Sequence, residues 1–228
     1  HGRHPCLLRR QGRSVTRVSY RTTPARRRVD RVTRIISGKA GSITLEVPAA
    51  GTRPTSDRLR ESLFSALESA DVIRDASVLD LFAGSGALGL EAASRGASRV
   101  ELVERSAPAA AIARRNAGKV VRALRGSCTV DVHAATVATF LRRVAASGAT
   151  GTFDVVFIDP PYDLADDDLG EALELLVPRL HADATVVIER ASRSAEPTLP
   201  EGLELLRQKK YGDTTLWWVA PRAPQQAE

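Results

Sequence analysis

Residues 78–89 read Val-Leu-Asp-Leu-Phe-Ala-Gly-Ser-Gly-Ala-Leu-Gly, an apolar run that passes into a glycine-rich turn. The apolar part predicts a buried strand, and the residues that follow predict a helix running to about Arg95. Gly84, Gly86 and Gly89 follow the G-x-G-x-x-G spacing of nucleotide-binding turns, in which a missing Cβ lets the backbone approach a ligand. The pattern therefore predicts an α/β fold with a ligand at the end of this strand.

The rest of the chain supports this fold class. Strand and helix patterns alternate from Ser77 onward, which favours a mostly parallel sheet with helices on both faces. A chain of 228 residues is long enough for one such domain with a full core. We therefore predict a Rossmann-like sheet.

Two acidic residues suggest which ligand the glycine turn binds. Asp80 lies so close to the turn that its carboxylate would repel a pyrophosphate, whereas it would suit a cationic ligand such as the amino acid end of S-adenosylmethionine. Glu104 ends the next predicted strand, 18 residues after Gly86, and an acid at about this distance can bind a ribose diol. Ribose occurs in nicotinamide and methionine cofactors alike, so Glu104 does not discriminate between them. Asp80 does, and so does Asp159 in the second motif.

A second motif occupies residues 153–162, Phe-Asp-Val-Val-Phe-Ile-Asp-Pro-Pro-Tyr. It predicts a buried strand that stops at two prolines, with Asp159 at the carboxyl end, where open α/β sheets bind ligands. Asp159 and the Pro160 carbonyl can accept hydrogen bonds from an exocyclic amine, and Tyr162 can stack on a planar base. Taken alone, the run is equally consistent with an ordinary strand-to-loop turn.

Together the motifs resemble a known family. Asp80–Gly89 and Asp159–Tyr162 resemble the cofactor and catalytic motifs of class I amino-methyltransferases that act on nucleic acid. Arg34–Gly38 and Arg53–Phe64 resemble the start of the RsmD family, whose members methylate the N2 amine of one guanine in 16S ribosomal RNA of the small subunit. The resemblance covers roughly residues 34–220.

The resemblance implies a class I methyltransferase sheet with an antiparallel C-terminal strand, S-adenosylmethionine as cofactor, and 16S ribosomal RNA or the small-subunit particle as partner. It implies that the catalytic residues are Asp159, Pro160, Pro161 and Tyr162. It implies that the cofactor-binding residues are Asp80, Phe82, Ala83, Gly84, Ser85, Gly86, Leu88, Glu104 and Arg105. It implies that the RNA-binding residues are Arg53, Thr55, Arg58 and Arg60.

The chain departs from the family pattern at one site. The family tends to carry an acidic residue after the third strand, where it meets the adenine amine. This chain has Ala134-Ala135-Thr136 at that place. The adenine contact is therefore left open and could come from the backbone.

Charge and pattern divide the chain into three regions: a basic arm (1–34), an N-terminal β-hairpin extension (35–52) and a methyltransferase domain (53–228). Residues 1–34 contain 11 arginines and one aspartate, whereas the remainder contains 22 basic and 26 acidic residues. The arm is predicted to be disordered and could neutralise phosphates without reading sequence. It could equally be an extension with no role. The hairpin is expected to position the substrate.

Several functional classes are disfavoured. No apolar run reaches membrane-spanning length, and the two cysteines, Cys6 and Cys128, lack metal-ligand spacing. Residues 166–168 are three aspartates that resemble a metal cluster, but they fit better as the cap of a helix over residues 169–180. We therefore predict a cytoplasmic protein, monomeric, without a metal site.

Two other functions stay open at this point. A DNA adenine or cytosine amino-methyltransferase would use the same four residues at 159–162. Such enzymes usually add a large recognition domain, for which the short hairpin leaves little room. A non-catalytic RNA-binding protein on the same fold is the second alternative, and the intact motif argues against it.

Overall fold

The computed structural model describes residues 33–48, 57–148, 150–161 and 163–223. The arm up to residue 32, Arg53, Thr55 and Tyr162 lie outside this part. The elements are β1 (Thr33–Arg34), β2 (Thr44–Leu45), α1 (Asp57–Ser69), β3 (Ser77–Leu81), α2 (Ala87–Ser94), β4 (Arg99–Glu104), α3 (Ala107–Leu124), β5 (Thr129–Ala134), α4 (Val137–Ala146), β6 (Phe153–Ile158), α5 (Asp166–Leu176), a 3-10 turn (Val177–Arg179), β7 (Leu180–Ala191), β8 (Leu203–Tyr211) and β9 (Thr214–Pro221).

The main sheet has seven strands in the order β5-β4-β3-β6-β7-β9-β8. All neighbouring pairs are parallel up to β7, and β9 runs antiparallel to β7 and to β8. The predicted Rossmann-like sheet with an antiparallel C-terminal strand is therefore confirmed. Strand order reverses between β3 and β6, and a reversal of this kind opens a crevice at the carboxyl ends of the strands.

Apolar side chains cover both faces of the sheet. One cluster joins α1, α2 and α3 to the sheet and includes Phe64, Leu102 and Trp218. The other joins α4 and α5 to the opposite face and includes Phe140 and Trp217. The adjacent tryptophans serve opposite faces because side chains alternate along a strand. The sheet is thus a buried central layer.

The N-terminal extension is a small two-stranded sheet packed against the domain. It begins at Thr33, two residues before the predicted boundary, and its paired strands are only two residues long. The side chains of Ile35 and Leu45 are fully buried in the same cluster as α1 and α2. So short a ladder is not stable by itself, so the extension depends on the domain for its conformation.

Buried polar groups hold this extension in place. The carboxylate of Glu91 on α2 accepts hydrogen bonds from the backbone N–H groups of Ile36 at 2.7 Å and Ser37 at 3.0 Å. The side chain of Asn116 on α3 accepts from the Glu46 N–H and donates to the carbonyl oxygens of Glu46 and Ser85, each at 2.9 Å. Asn116 therefore links the extension directly to the glycine turn.

The aspartate run at residues 166–168 forms the first turn of α5, so this helix begins three residues earlier than predicted and ends earlier, at Leu176. Carboxylates in this position stabilise a helix N-terminus. Across the described ranges, no group of three or more His, Cys, Asp or Glu side chains could hold a metal ion. No helix in those ranges has the length and apolar character needed to span a membrane.

Candidate active site

A cavity of about 1020 Å³ opens at the carboxyl ends of β3, β4 and β6. It is large enough for a nucleoside-sized cofactor together with part of a substrate. The predicted site residues that line it are Asp80, Phe82, Ala83, Gly84, Ser85, Leu88, Glu104, Arg105, Asp159, Pro160 and Pro161. Folding therefore brings together two motifs that are about 70 residues apart in the chain.

Asp80 is a buried acid at the end of β3. Its carboxylate accepts a hydrogen bond from the Gly89 N–H at 2.9 Å, and only 1% of the residue is exposed. Burial, and to a smaller extent the nearby carboxylates of Asp159 and Glu104, raises the pKa of Asp80 to about 7. The cavity lining contains seven acidic residues and only two arginines, a balance that disfavours a phosphate and favours a cationic ligand.

Glu104 is oriented by backbone donors at the end of β4. Its carboxylate accepts hydrogen bonds from the Gly84 N–H at 2.9 Å and from the Ser106 N–H at 2.7 Å. These bonds join the tip of β4 to the glycine turn after β3. They hold the acid beside the cavity, where it can receive the hydroxyl groups of a ribose.

The glycine turn is shaped by contacts with the core. Gly86 has φ +81°, and a Cβ built on it would lie 2.9 Å from Leu102 Cδ1. A Cβ on Gly89 would lie 2.4 Å from Leu102 Cδ2, because α2 packs closely on β4. The missing Cβ atoms of these two glycines thus make room for the core side chain of Leu102. We had predicted that they make room for the ligand. A Gly86→Val variant would disturb packing as well as the cofactor site.

Phe82 introduces backbone strain next to the cavity. It has φ +67°, a region that bulky residues rarely adopt. The following residue anchors the loop, because the Ala83 N–H donates to the Val103 carbonyl at 2.9 Å. Strained residues of this kind concentrate at binding sites, where the surrounding structure holds them in place.

The cavity also includes residues that our sequence analysis missed. Val47 and Pro48 place the N-terminal extension at its wall, and Glu189 approaches from β7. Glu189 could have been found if the strand order were known, since β7 is the neighbour of β6. Ala135 and Thr136 line the region where the family pattern has an acid, so only backbone and hydroxyl groups offer polar contacts there.

The two arginines of α1 that the resemblance assigns to RNA binding differ in environment. Arg58 is exposed. Arg60 is only 1% exposed, and its guanidinium donates to the Asp57 carboxylate at 2.8 Å and to the Arg34 carbonyl oxygen at 2.6 Å. Burial lowers the pKa of Arg60 below its ordinary value. Arg60, which the resemblance places among the RNA-binding residues, is therefore a buried side chain that borders the cavity and ties β1 to α1.

The fold and the relatives described below place the chain among the methyltransferases that use S-adenosylmethionine. The family described as "Conserved hypothetical protein 95" matches residues 33–220, so the chain belongs to that family. The predicted relation to the RsmD family is confirmed.

Individual relatives cover most of this chain. Ribosomal RNA small subunit methyltransferase D of Escherichia coli strain K12 is 37% identical over 189 residues, which cover 78% of this chain and 85% of that protein. The protein of the same name from Haemophilus influenzae is 33% identical over 184 residues, with 78% and 89% covered. A solved structure of a hypothetical protein from Thermus thermophilus has a TM-score of 0.68 at 34% identity and covers 82% of this chain and 98% of that one.

Proposed function

We propose that this protein transfers the methyl group of S-adenosylmethionine to the exocyclic N2 amine of a guanine in 16S ribosomal RNA. The observation that carries the proposal is the cavity in which Asp80 and Glu104 meet Asp159 and Pro160. The first pair suits the cofactor and the second pair suits an amine. The printed name of the Escherichia coli relative, a small-subunit ribosomal RNA methyltransferase, supports RNA as the substrate.

The residues present fit the cofactor. The buried Asp80 carboxylate would meet the positively charged amino acid end, and Glu104 would accept hydrogen bonds from the ribose. The backbone and the apolar side chains around Ala135 would contact the adenine, since residues 134–136 include no acid. When bound, S-adenosylmethionine supplies an activated methyl group together with its own leaving group, so the protein needs no covalent intermediate.

The remaining task of the protein is to position the amine. The N2 lone pair of guanine is delocalised into the ring and is a poor nucleophile. If Asp159 and the Pro160 carbonyl each accept one N–H bond, the nitrogen is rotated and pyramidalised, and its lone pair can point at the methyl group. Tyr162 would stack on the base. Catalysis is then mostly orientation of the reactants and electrostatic stabilisation.

The substrate must present an accessible base. A guanine inside a helix would have to leave its stack to reach this cavity, which favours an unpaired or loop position. We place Arg53, Thr55 and Arg58 beside the target RNA, and we assign the basic arm a sequence-independent contact with phosphates. Val47 and Pro48, which line the cavity, give the N-terminal extension a place from which to position the RNA.

The test is methyl transfer by the purified protein to naked 16S RNA, to small-subunit particles and to DNA, with mass mapping of the modified nucleotide. The expected product is N2-methylguanine at one site, and that site should be unmodified in cells lacking the protein. Methylated adenine or cytosine in DNA would instead support the DNA-enzyme alternative. Cofactor binding without transfer to any of these substrates would support a non-catalytic role.

Cofactor affinity is expected to depend on pH through Asp80. Its pKa of about 7 lies above the ordinary value, so the free protein holds a proton there at lower pH. The α-ammonium group of the ligand prefers the ionised carboxylate, so affinity should rise with pH up to about 7, with proton release on binding below that pH, and fall again above about 8, where the ammonium loses its own proton. Calorimetry in buffers of different ionisation enthalpy measures the released proton.

Asp80→Asn is the matched variant for this prediction. It should bind the cofactor weakly, with no proton release attributable to position 80 and a flatter pH profile over the same range. If the wild-type protein and Asp80→Asn show the same pH dependence and proton release, Asp80 does not meet the charged end of the cofactor.

A further inference from the structure

The edge strand β8 brings a group of basic residues to the end of the sheet where the cavity lies. Both β7 and β8 pair antiparallel with β9, so they run in the same direction. The Tyr211 end of β8 therefore lies at the same end of the sheet as the carboxyl ends of β3 and β6. Near this end, Arg207, Lys209 and Lys210 are all exposed, with Arg207 and Lys209 on the face of the sheet that packs on α1 and Lys210 on the other face. We call these three residues the β8 strip.

The β8 strip has cationic groups available for a ligand. Among the described residues, none of its three side chains forms an ion pair with a carboxylate, although acids outnumber bases over residues 35–228. The guanidinium of Arg207 lies 4.2 Å from the centre of the Trp218 ring, and the ammonium of Lys209 lies 5.0 Å from that of Tyr211. These contacts order the side chains and leave their charges unneutralised.

A second contact connects the β8 strip with α1. The hydroxyl groups of Tyr211 and Ser62 are hydrogen-bonded at 2.9 Å. Ser62 lies four residues after the exposed Arg58, so both occupy the same face of α1. The side of the molecule that carries Arg58 therefore continues across Tyr211 to Lys209 and Arg207 of the β8 strip, and α1 itself reaches the cavity at Arg60.

We infer that the β8 strip binds the phosphate backbone of the RNA that flanks the target guanine. This inference rests on the proposed function, because the strip lies at the end of the sheet where the parallel strands terminate and where the base must enter. Lysines on an edge strand also discourage pairing with other strands. That role explains neither the stacking of Arg207 on Trp218 nor the link to α1, whereas an extended polyanion would contact every part of this surface.

The test is a triple variant, Arg207→Gln, Lys209→Gln and Lys210→Gln. Its matched control removes three exposed charges on the other side of the domain, near the amino ends of the parallel strands. The substitutions are Arg74→Gln, Arg122→Gln and Arg125→Asn. RNA affinity is measured with a 16S fragment over a salt series. The strip variant should bind about tenfold or more weakly, and its salt dependence should be less steep by about 2 to 3 in the log–log slope. The control should bind as the wild-type protein does.

Further measurements separate the possible failures. If the wild-type protein methylates RNA and the strip variant matches it in affinity and salt slope, the inference is wrong while the proposed function stands. If the variant loses binding only to assembled particles and keeps its affinity for the naked fragment, the partner is a protein, and the inference is wrong. If the variant self-associates while its RNA affinity is unchanged, the strip serves to prevent β8 from pairing with strands of other molecules, and the inference is wrong. A wild-type protein that neither binds nor methylates RNA refutes the proposed function itself.

Discussion

Replacement of Asp159 by asparagine is expected to lower turnover by roughly 10²-fold or more, the usual effect of losing a preorganised electrostatic contact. Asp159 lines the cavity beside Pro160, at the end of β6. An amide can offer one acceptor oxygen only if it is correctly oriented, and it lacks the charge that stabilises the amine as it develops positive charge. Single-turnover methyl transfer measures this loss, and a cofactor titration should show a much smaller change.

Asp167→Asn is the control for this variant. Asp167 is an exposed residue in the first turn of α5, close in sequence to the catalytic motif. The same chemical change there should leave turnover near the wild-type value. An Asp159→Asn enzyme with near-normal turnover, or one whose loss is entirely in cofactor affinity, would contradict the assigned role.

Glu91→Ala is expected to lower the free energy of unfolding by about 3–5 kcal/mol, because it removes the buried one of the two carboxylates that pair with Arg95 and leaves two backbone N–H groups without their acceptor. Glu91 is fully buried and accepts the side-chain Nε–H of Arg95 at 2.7 Å, besides the two backbone N–H groups of the N-terminal extension. Urea denaturation measures the change. The extension should also become more susceptible to proteolysis, since its backbone donors lose their acceptor.

Glu68→Ala provides the comparison, because Glu68 binds the same arginine at 2.8 Å but is about half exposed. Its loss should cost no more than about 1 kcal/mol, as is usual for exposed ion pairs. If the two alanine variants are equally stable, the buried network does not hold the extension in place.

The burial of the N-terminal extension limits how its role in positioning the substrate can be tested. Its side chains Ile35, Ala40 and Leu45 belong to the core, so a deletion of the hairpin would expose apolar surface and would not isolate substrate positioning. Substitutions at Val47, which borders the cavity, are the better probe of a positioning role.

Local sequence alone was enough to predict the parallel sheet and to place Asp80 and Asp159 near the carboxyl ends of its strands. A parallel strand buried on both faces requires a continuous apolar run, and a turn with positive φ favours glycine, so both leave a direct trace in the chain. The ends of such strands can also be predicted, because glycines or prolines follow the apolar run. The acids at those ends line the cavity.

Only the tertiary structure decided the environments of Arg60, Glu91 and Glu189. In sequence, each is a charged residue of the kind usually found in water. The burial of Arg60 and Glu91 became possible only because partners distant in the chain supply hydrogen bonds. Arg60 meets the Arg34 carbonyl, Glu91 meets the backbone of the N-terminal extension, and Glu189 reaches the cavity through strand order. Such pairings depend on which segments lie side by side in space, and that information is absent from any local pattern.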